Sequence, residues 1–218
     1  LTGADTSVPP TAIVSGEPTE FVSGATDCDE RAARWVLQIG GVLKICTGES
    51  QLILVNGVDS LPGTPFRVID VILQNNKEVD DAGMQYFSSL DALLTLRLSE
   101  TNITDEGISY LNGLTSLSVL NLSYTKVTDG GLKYLVGLKG LQQLDLANTA
   151  ITDAGLTHIR KLTSLEFLGL YATAVTNAGL RQLTKLKKLK FLGLYKTPVT
   201  NVGVNKLKKS LPDCKINR

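Results

Sequence analysis

The sequence predicts an α/β repeat array from three observations: a 24-residue period, a strand-like pattern opening each row, and a helix-start signature later in the row. Leu93, Leu117, Leu141, Leu165 and Leu189 stand 24 residues apart, and columns beginning at Leu96 and Leu98 keep the same spacing. Thr101, Thr125, Thr149, Thr173 and Thr197 recur in phase, as do Gly107, Gly131, Gly155, Gly179 and Gly203. A sixth, degenerate row starts at Ile69, with Ile72, Val79, Asp81 and Gly83 in phase and Gln74 and Lys77 off pattern. A terminal row is expected to be atypical because one of its sides has no neighbour.

Each row has a physical reading. The opening LxxLxL alternates at its end, as a short strand with one buried face does. The chain then turns at Thr and reaches a block such as Ile103-Thr104-Asp105-Glu106-Gly107-Ile108. With Thr104 as N-cap, Ile103 and Ile108 take the spacing of a hydrophobic staple. Asp105 falls in the first turn, where the helix dipole favours negative charge. Thr128, Thr152, Thr176 and Thr200 repeat the cap; Asp129 and Asp153 repeat the charge, which Asn177 and Asn201 drop. The glycine costs helix propensity, so its expected use is a close approach of backbone to the adjacent turn.

The full pattern, LxxLxLxxTxITDxGLxxLxxLTS, resembles the leucine-rich repeat family and is most similar to its 24-residue T-D-x-G-L class, found in cysteine-containing and bacterial repeats. The resemblance covers residues 69–212. It implies a right-handed, horseshoe-like solenoid with a parallel sheet on the concave side and short helices on the convex side. It also implies that the Thr column, where many of these repeats carry asparagine, satisfies backbone groups in the turn after the strand. Lys77 interrupts that column in the first row.

Before the array, residues 1–26 read as an extended linker rich in Pro, Thr, Ser and Gly. Residues 27–68 read as an N-terminal cap. Asp27 and Glu30 form a capping box for a helix over residues 28–39, Gly40-Gly41 ends it, and strands follow at 42–45 and 52–55. Such a unit resembles a cap that shields the first repeat, with Trp35 in its core. An array of about six repeats then spans 69–212, and 213–218 read as a C-terminal tail. Cys28, Cys46 and Cys214 lack CxxC spacing and exclude a zinc knuckle. Cys28 and Cys46 either pair across the cap helix or stay reduced.

The 22 basic and 21 acidic residues leave a charge of +1, which argues against a dedicated nucleic-acid binder. No uninterrupted apolar run of about 18 residues occurs, so no membrane span is expected. The chain begins at Leu1 rather than Met, as a processed product does, and an extracytoplasmic or surface location is preferred to a cytoplasmic one. The single histidine, His158, shares a column with Tyr86, Tyr110 and Tyr134 and reads as packing or surface. The aspartate ladder could bind calcium, yet each member is better explained as a first-turn charge. No catalytic residue, metal or cofactor is expected, and the chain is read as a non-enzyme.

Between the buried leucines, side chains point into the concavity. These columns read Phe167, Gly169 and Tyr171 in one row and Phe191, Gly193 and Tyr195 in the next, with Tyr124 flanking one column over. At a row spacing of about 4.8 Å the rings should stack as adjacent pairs around a glycine-floored slot. Earlier rows carry Thr95, Arg97, Ser99, Val119, Asn121, Ser123, Gln143, Asp145 and Ala147, which are smaller or polar. The expected function is a monomeric module that binds a protein or peptide through Phe167, Tyr171, Phe191, Tyr195 and Tyr124. The alternatives are an assembly segment of a larger protein and substrate recognition in a ubiquitin-ligase-like assembly. Residues 1–92 hold 13 acids and five bases, whereas 93–218 hold eight acids and 17 bases. The basic excess reads first as a solvated C-terminal cap; in the assembly alternative the two ends would drive head-to-tail contacts.

Overall fold

A computed structural model describes residues 27–48 and 51–218; the expected linker over 1–26 lies outside the described residues. The sheet is the backbone of the fold. Among the described residues its strand order is β2-β1-β3-β4-β5-β6-β7-β8-β9. β3 (Phe66–Ile72), β4 (Thr95–Arg97), β5 (Val119–Asn121), β6 (Gln143–Asp145), β7 (Phe167–Gly169), β8 (Phe191–Gly193) and β9 (Lys215–Asn217) all run parallel. From β4 onward, register partners are 24 residues apart, so Leu96, Leu120, Leu144, Leu168 and Leu192 line up across the sheet and are buried. This single apolar stack, joined by the flanking leucine columns, is the core of the array. β9 continues the sheet beyond β8, in the segment read from sequence as a tail.

The return segments alternate between short α-helix and 3-10 helix. α1 (Asp27–Gln38) belongs to the cap; α2 (Asp105–Ser109), α3 (Leu156–Ile159) and α4 (Asn201–Lys208) belong to the array, and Gly83–Phe87, Gly131–Gly137 and Gly179–Lys185 are 3-10. Rows this short leave room for one to two helical turns, and half of the array's return segments take the tighter 3-10 form.

The first row differs from its sequence reading. Val71, not Ile72, pairs with Leu96, while Ile72 pairs with Arg97 on the other face. The core motif of this row is therefore Val68, Val71 and Leu73, all buried, and the row is one residue longer than the others. The extra residue is absorbed in the turn. Asn75 takes the left-handed backbone that Glu100 takes one row later, so Asn76 rather than Lys77 follows it as Thr101 does. Asn76 donates to Ile39 O at 2.6 Å and accepts from Glu78 N at 3.0 Å, tying the first turn to the cap. In the regular rows the Thr hydroxyls donate to the carbonyl three residues back, at 2.5 to 2.8 Å, as the resemblance implied.

The cap reverses direction. β1 (Val42–Thr47) is antiparallel to both β3 and β2 (Leu52–Val55), which the sequence reading did not anticipate. Asp29 of α1 is fully buried; it accepts from Val68 N at 2.8 Å and from Arg67 Nε at 3.0 Å, pinning the helix to β3. Arg67 also pairs with Asp91. Trp35 stacks on Tyr86 at 5.1 Å and meets Phe87 edge-on at 5.7 Å. Cys28, Cys46 and Cys214 are free thiols, so Cys28 and Cys46 do not pair.

The aspartate column has a use that a first-turn charge does not describe. Asp81, Asp105, Asp129 and Asp153 each reach into the following row. Each accepts from the backbone N–H of the next capping Thr at 2.7 to 2.8 Å and from its hydroxyl at 2.5 to 2.6 Å. Asn177 keeps the position: its Oδ1 accepts from Thr200 N and its Nδ2 donates to Thr200 Oγ1, both at 2.9 Å. The glycine column follows from this clamp. A Cβ at Gly107 would lie 2.5 Å from Asp81 Oδ1, and the later glycines of the column meet the same obstruction. The two ends of the column are closed differently. Gly83 lies against the Trp35 ring, and Arg218 donates to Asn201 Oδ1 at 2.7 Å and to Val199 O at 2.5 Å.

Candidate functional site: the concave face

Register fixes which side chains share the concave face. One column runs Asp70, Thr95, Val119, Gln143, Phe167, Phe191, Lys215; the next runs Ile72, Arg97, Asn121, Asp145, Gly169, Gly193, Asn217. Ladder pairing brings equivalent residues of adjacent rows together, so identical rings must stack. Phe167 and Phe191 stack at 5.1 Å between ring centroids, with planes 4° apart. Tyr171 and Tyr195 stack at 5.6 Å and 20°. The glycines lie between the two ring pairs in sequence and in register, and Tyr195 is 44% exposed. Tyr124 is 54% exposed on left-handed backbone, but stands two rows N-terminal to Tyr171 and joins neither stack.

Two residues of this region were not singled out from sequence. Lys196, also on left-handed backbone, holds its ammonium 5.5 Å from the Tyr171 ring centroid and 5.9 Å from that of Tyr195. Hydrogen bonding to Tyr171 pushes its pKa up, and the field of the tyrosines adds to this. Its signal was positional: it follows the second Tyr directly. Asp145, half-buried, sits at the end of the glycine floor. A Cβ at Gly169 would collide with Asp145 Oδ1, so the carboxylate lies across that glycine. Burial pushes the Asp145 pKa up, partly offset by the Ala147 N–H that donates to it at 3.1 Å.

The other sequence candidates fall elsewhere. Tyr86, Tyr110 and Tyr134 are half-buried against the core on the helix side. Some basic residues of the C-terminal rows close the structure itself: Lys187 donates to Ser210 O at 2.9 Å, and Lys190 pairs with Glu166 at 2.7 Å. A shallow convex cleft of about 410 Å³ lies between Gly179–Lys185 and α4, lined by Leu180, Arg181, Val202 and Lys206 among others. Among the described residues no cluster of His, Cys, Asp or Glu could hold a metal ion, and no helix is long and apolar enough to cross a membrane.

A family model described as "Leucine Rich repeat" matches residues 93–111, 113–136 and 141–159. No curated protein sequence matches the chain. Among solved structures, an internalin (inlF) from Listeria monocytogenes is similar at a TM-score of 0.53 and 21% identity, covering 88% of this chain. The chain spans 55% of that protein's length. Internalin C2 of the same organism gives 0.50 and 20%, covering 87% of this chain and 81% of its own. Identities this low speak for the fold alone. With its repeated leucine columns, parallel sheet and matched rows, the chain has a leucine-rich repeat fold.

Proposed function

We propose that the concave face binds a protein or peptide, with Phe167, Tyr171, Phe191 and Tyr195 as the principal contacts and Tyr124 at their flank. The observation that carries this reading is the pair of aromatic stacks on an otherwise small or polar sheet face. Ring pairs held by ladder register lose little conformational freedom on binding, and aromatic side chains dominate interface energetics. Between them Gly193 carries no side chain, and the Asp145 carboxylate lies across Gly169.

Selecting a random peptide display library against the protein tests this. Selected peptides should bind the Tyr171→Ala/Tyr195→Ala variant at least about tenfold more weakly, as expected for loss of a hot spot, while its circular dichroism stays unchanged. Equal affinity for wild type and variant moves the binding surface elsewhere.

A further inference from the structure

Asp145 carries a charge that the fold does not need. Its equivalent one row earlier is Asn121, and the two share a register position. Asn121 Oδ1 accepts from Ser123 N at 2.9 Å; Asp145 Oδ1 accepts from Ala147 N at 3.1 Å. The same turn bond is therefore made by a neutral amide in one row and by a carboxylate in the next. Oδ2 of Asp145 takes no hydrogen bond, and no cation pairs with the group among the described residues.

Its surroundings point to what would pair with it. Gly169 gives up the side chain that would displace the carboxylate, and its register partner Gly193 adds no side chain one row on. Phe167 stands to one side of that floor and Tyr171 to the other. The tyrosine side already holds an ammonium, that of Lys196, close to both rings. Neighbouring register partners Asn121 and Gly169 are uncharged, and Arg97 is two rows away. Aromatic rings beside an unneutralised, partly desolvated carboxylate form the chemistry that accepts a guanidinium or ammonium.

We propose that the slot between the aromatic pairs receives an arginine or lysine side chain of a protein partner, which pairs with Asp145 over Gly169. This rests on the reading of the concave face as a peptide-binding surface and names the chemistry it selects. The cation passes between Phe167 and Tyr171, and its head group meets the Asp145 carboxylate. Glycine at 169 keeps the path short, and Asp145 supplies specificity against neutral and acidic side chains.

The test is a nitrogen-15 NMR titration of the protein with three capped tripeptides: acetyl-Gly-Arg-Gly-amide and its norleucine and glutamate counterparts. The arginine peptide should shift the amides of Asp145, Gly169 and Gly193 in a saturable way. Asp145→Asn should weaken that binding about tenfold or more, as loss of a charge-assisted hydrogen bond does. The variant keeps the turn bond that Asn121 makes, so its remaining spectrum should overlay the wild type. Comparing arginine with norleucine on the wild-type protein gives the same answer with no protein substitution. Equal shifts from both peptides, or unchanged affinity in Asp145→Asn, overturn the cation assignment and leave the peptide-binding reading standing. Absence of any shift on the concave face also overturns it. The display selection separately decides whether the broader reading falls with it.

Discussion

Replacing Asp129 separates the two readings of the aspartate column. If Asp129 only complements a helix dipole, Asp129→Ala and Asp129→Asn lose the same charge and each costs about 0.3–1 kcal/mol. The observed geometry requires otherwise. Asp129 accepts from Thr152 N at 2.8 Å and from Thr152 Oγ1 at 2.5 Å, two bonds to an ionised acceptor. Such bonds contribute about 1.5–3 kcal/mol each, and partial exposure lowers the pair to about 2–4 kcal/mol in total. Asp129→Ala should cost that much. Asp129→Asn should cost under about 1 kcal/mol, because Asn177 already holds Thr200 through the same two atoms at 2.9 Å. Urea unfolding followed by far-ultraviolet circular dichroism and by the fluorescence of Trp35, the single tryptophan, measures both. Coincident transitions license the two-state treatment. Equal losses for the Ala and Asn variants would refute the clamp.

Three further outcomes follow from named contacts. Gly155→Ala should destabilise by about 1–3 kcal/mol despite alanine's better helix propensity, because its Cβ would press on Asp129 and on Leu132 Cδ1. Combining it with Asp129→Ala should cost less than the sum of the single changes, as a double-mutant cycle will register. Asp145→Asn should be more stable than wild type at neutral pH. Burial raises the folded-state pKa of Asp145, so the folded form keeps its proton to higher pH than the unfolded chain. Ionised Asp145 is then a cost at neutral pH, and wild-type stability is regained as pH falls through the raised value. Midpoints for the two proteins should converge below the ordinary carboxylate range; a constant gap across pH would contradict this. Burial pushes the Cys214 thiol up to about 11, partly offset by Lys208, so its reaction with a disulfide reagent at pH 8 should be slow until urea is added. Fast native labelling would show the site to be open.

The regular rows were legible because every row states the same pattern and the buried columns depend only on local alternation. Stacking of Phe167 on Phe191 and of Tyr171 on Tyr195 followed from period alone. The destination of Asp129 did not, since an acid beside a capping Thr satisfies the dipole argument equally well. A pointer was present in the sequence: each Asp is followed 26 residues later by a Gly, as with Asp81 and Gly107 or Asp129 and Gly155. The one-residue insertion in the first row was hidden because Ile69 and Ile72 are as apolar as Val68 and Val71. Antiparallel β1 and β2 were hidden because strand patterns carry no direction. Asp145 was passed over because its meaning lies in the adjoining row, and Lys196 because a lysine after Tyr195 gains its second ring, Tyr171, only from the row before.

A chain of near-identical rows faces a hazard that ordinary domains do not: a row can dock one place too early or too late and still bury its leucines. The closures at the two ends counter this. Trp35 occupies the place beside Gly83 where each later row has an acceptor from its predecessor, and Arg218 occupies the place beyond Asn201 where a successor would dock. A chain slipped by one row would leave an aspartate without the Thr that answers it, and would strip the first row of the contacts that only the cap supplies: Asp29 on Val68 and Arg67, Ile39 on Asn76, and Trp35 on Tyr86. Misalignment is thus penalised where the cap meets the first row, by contacts that a uniform repeat does not supply.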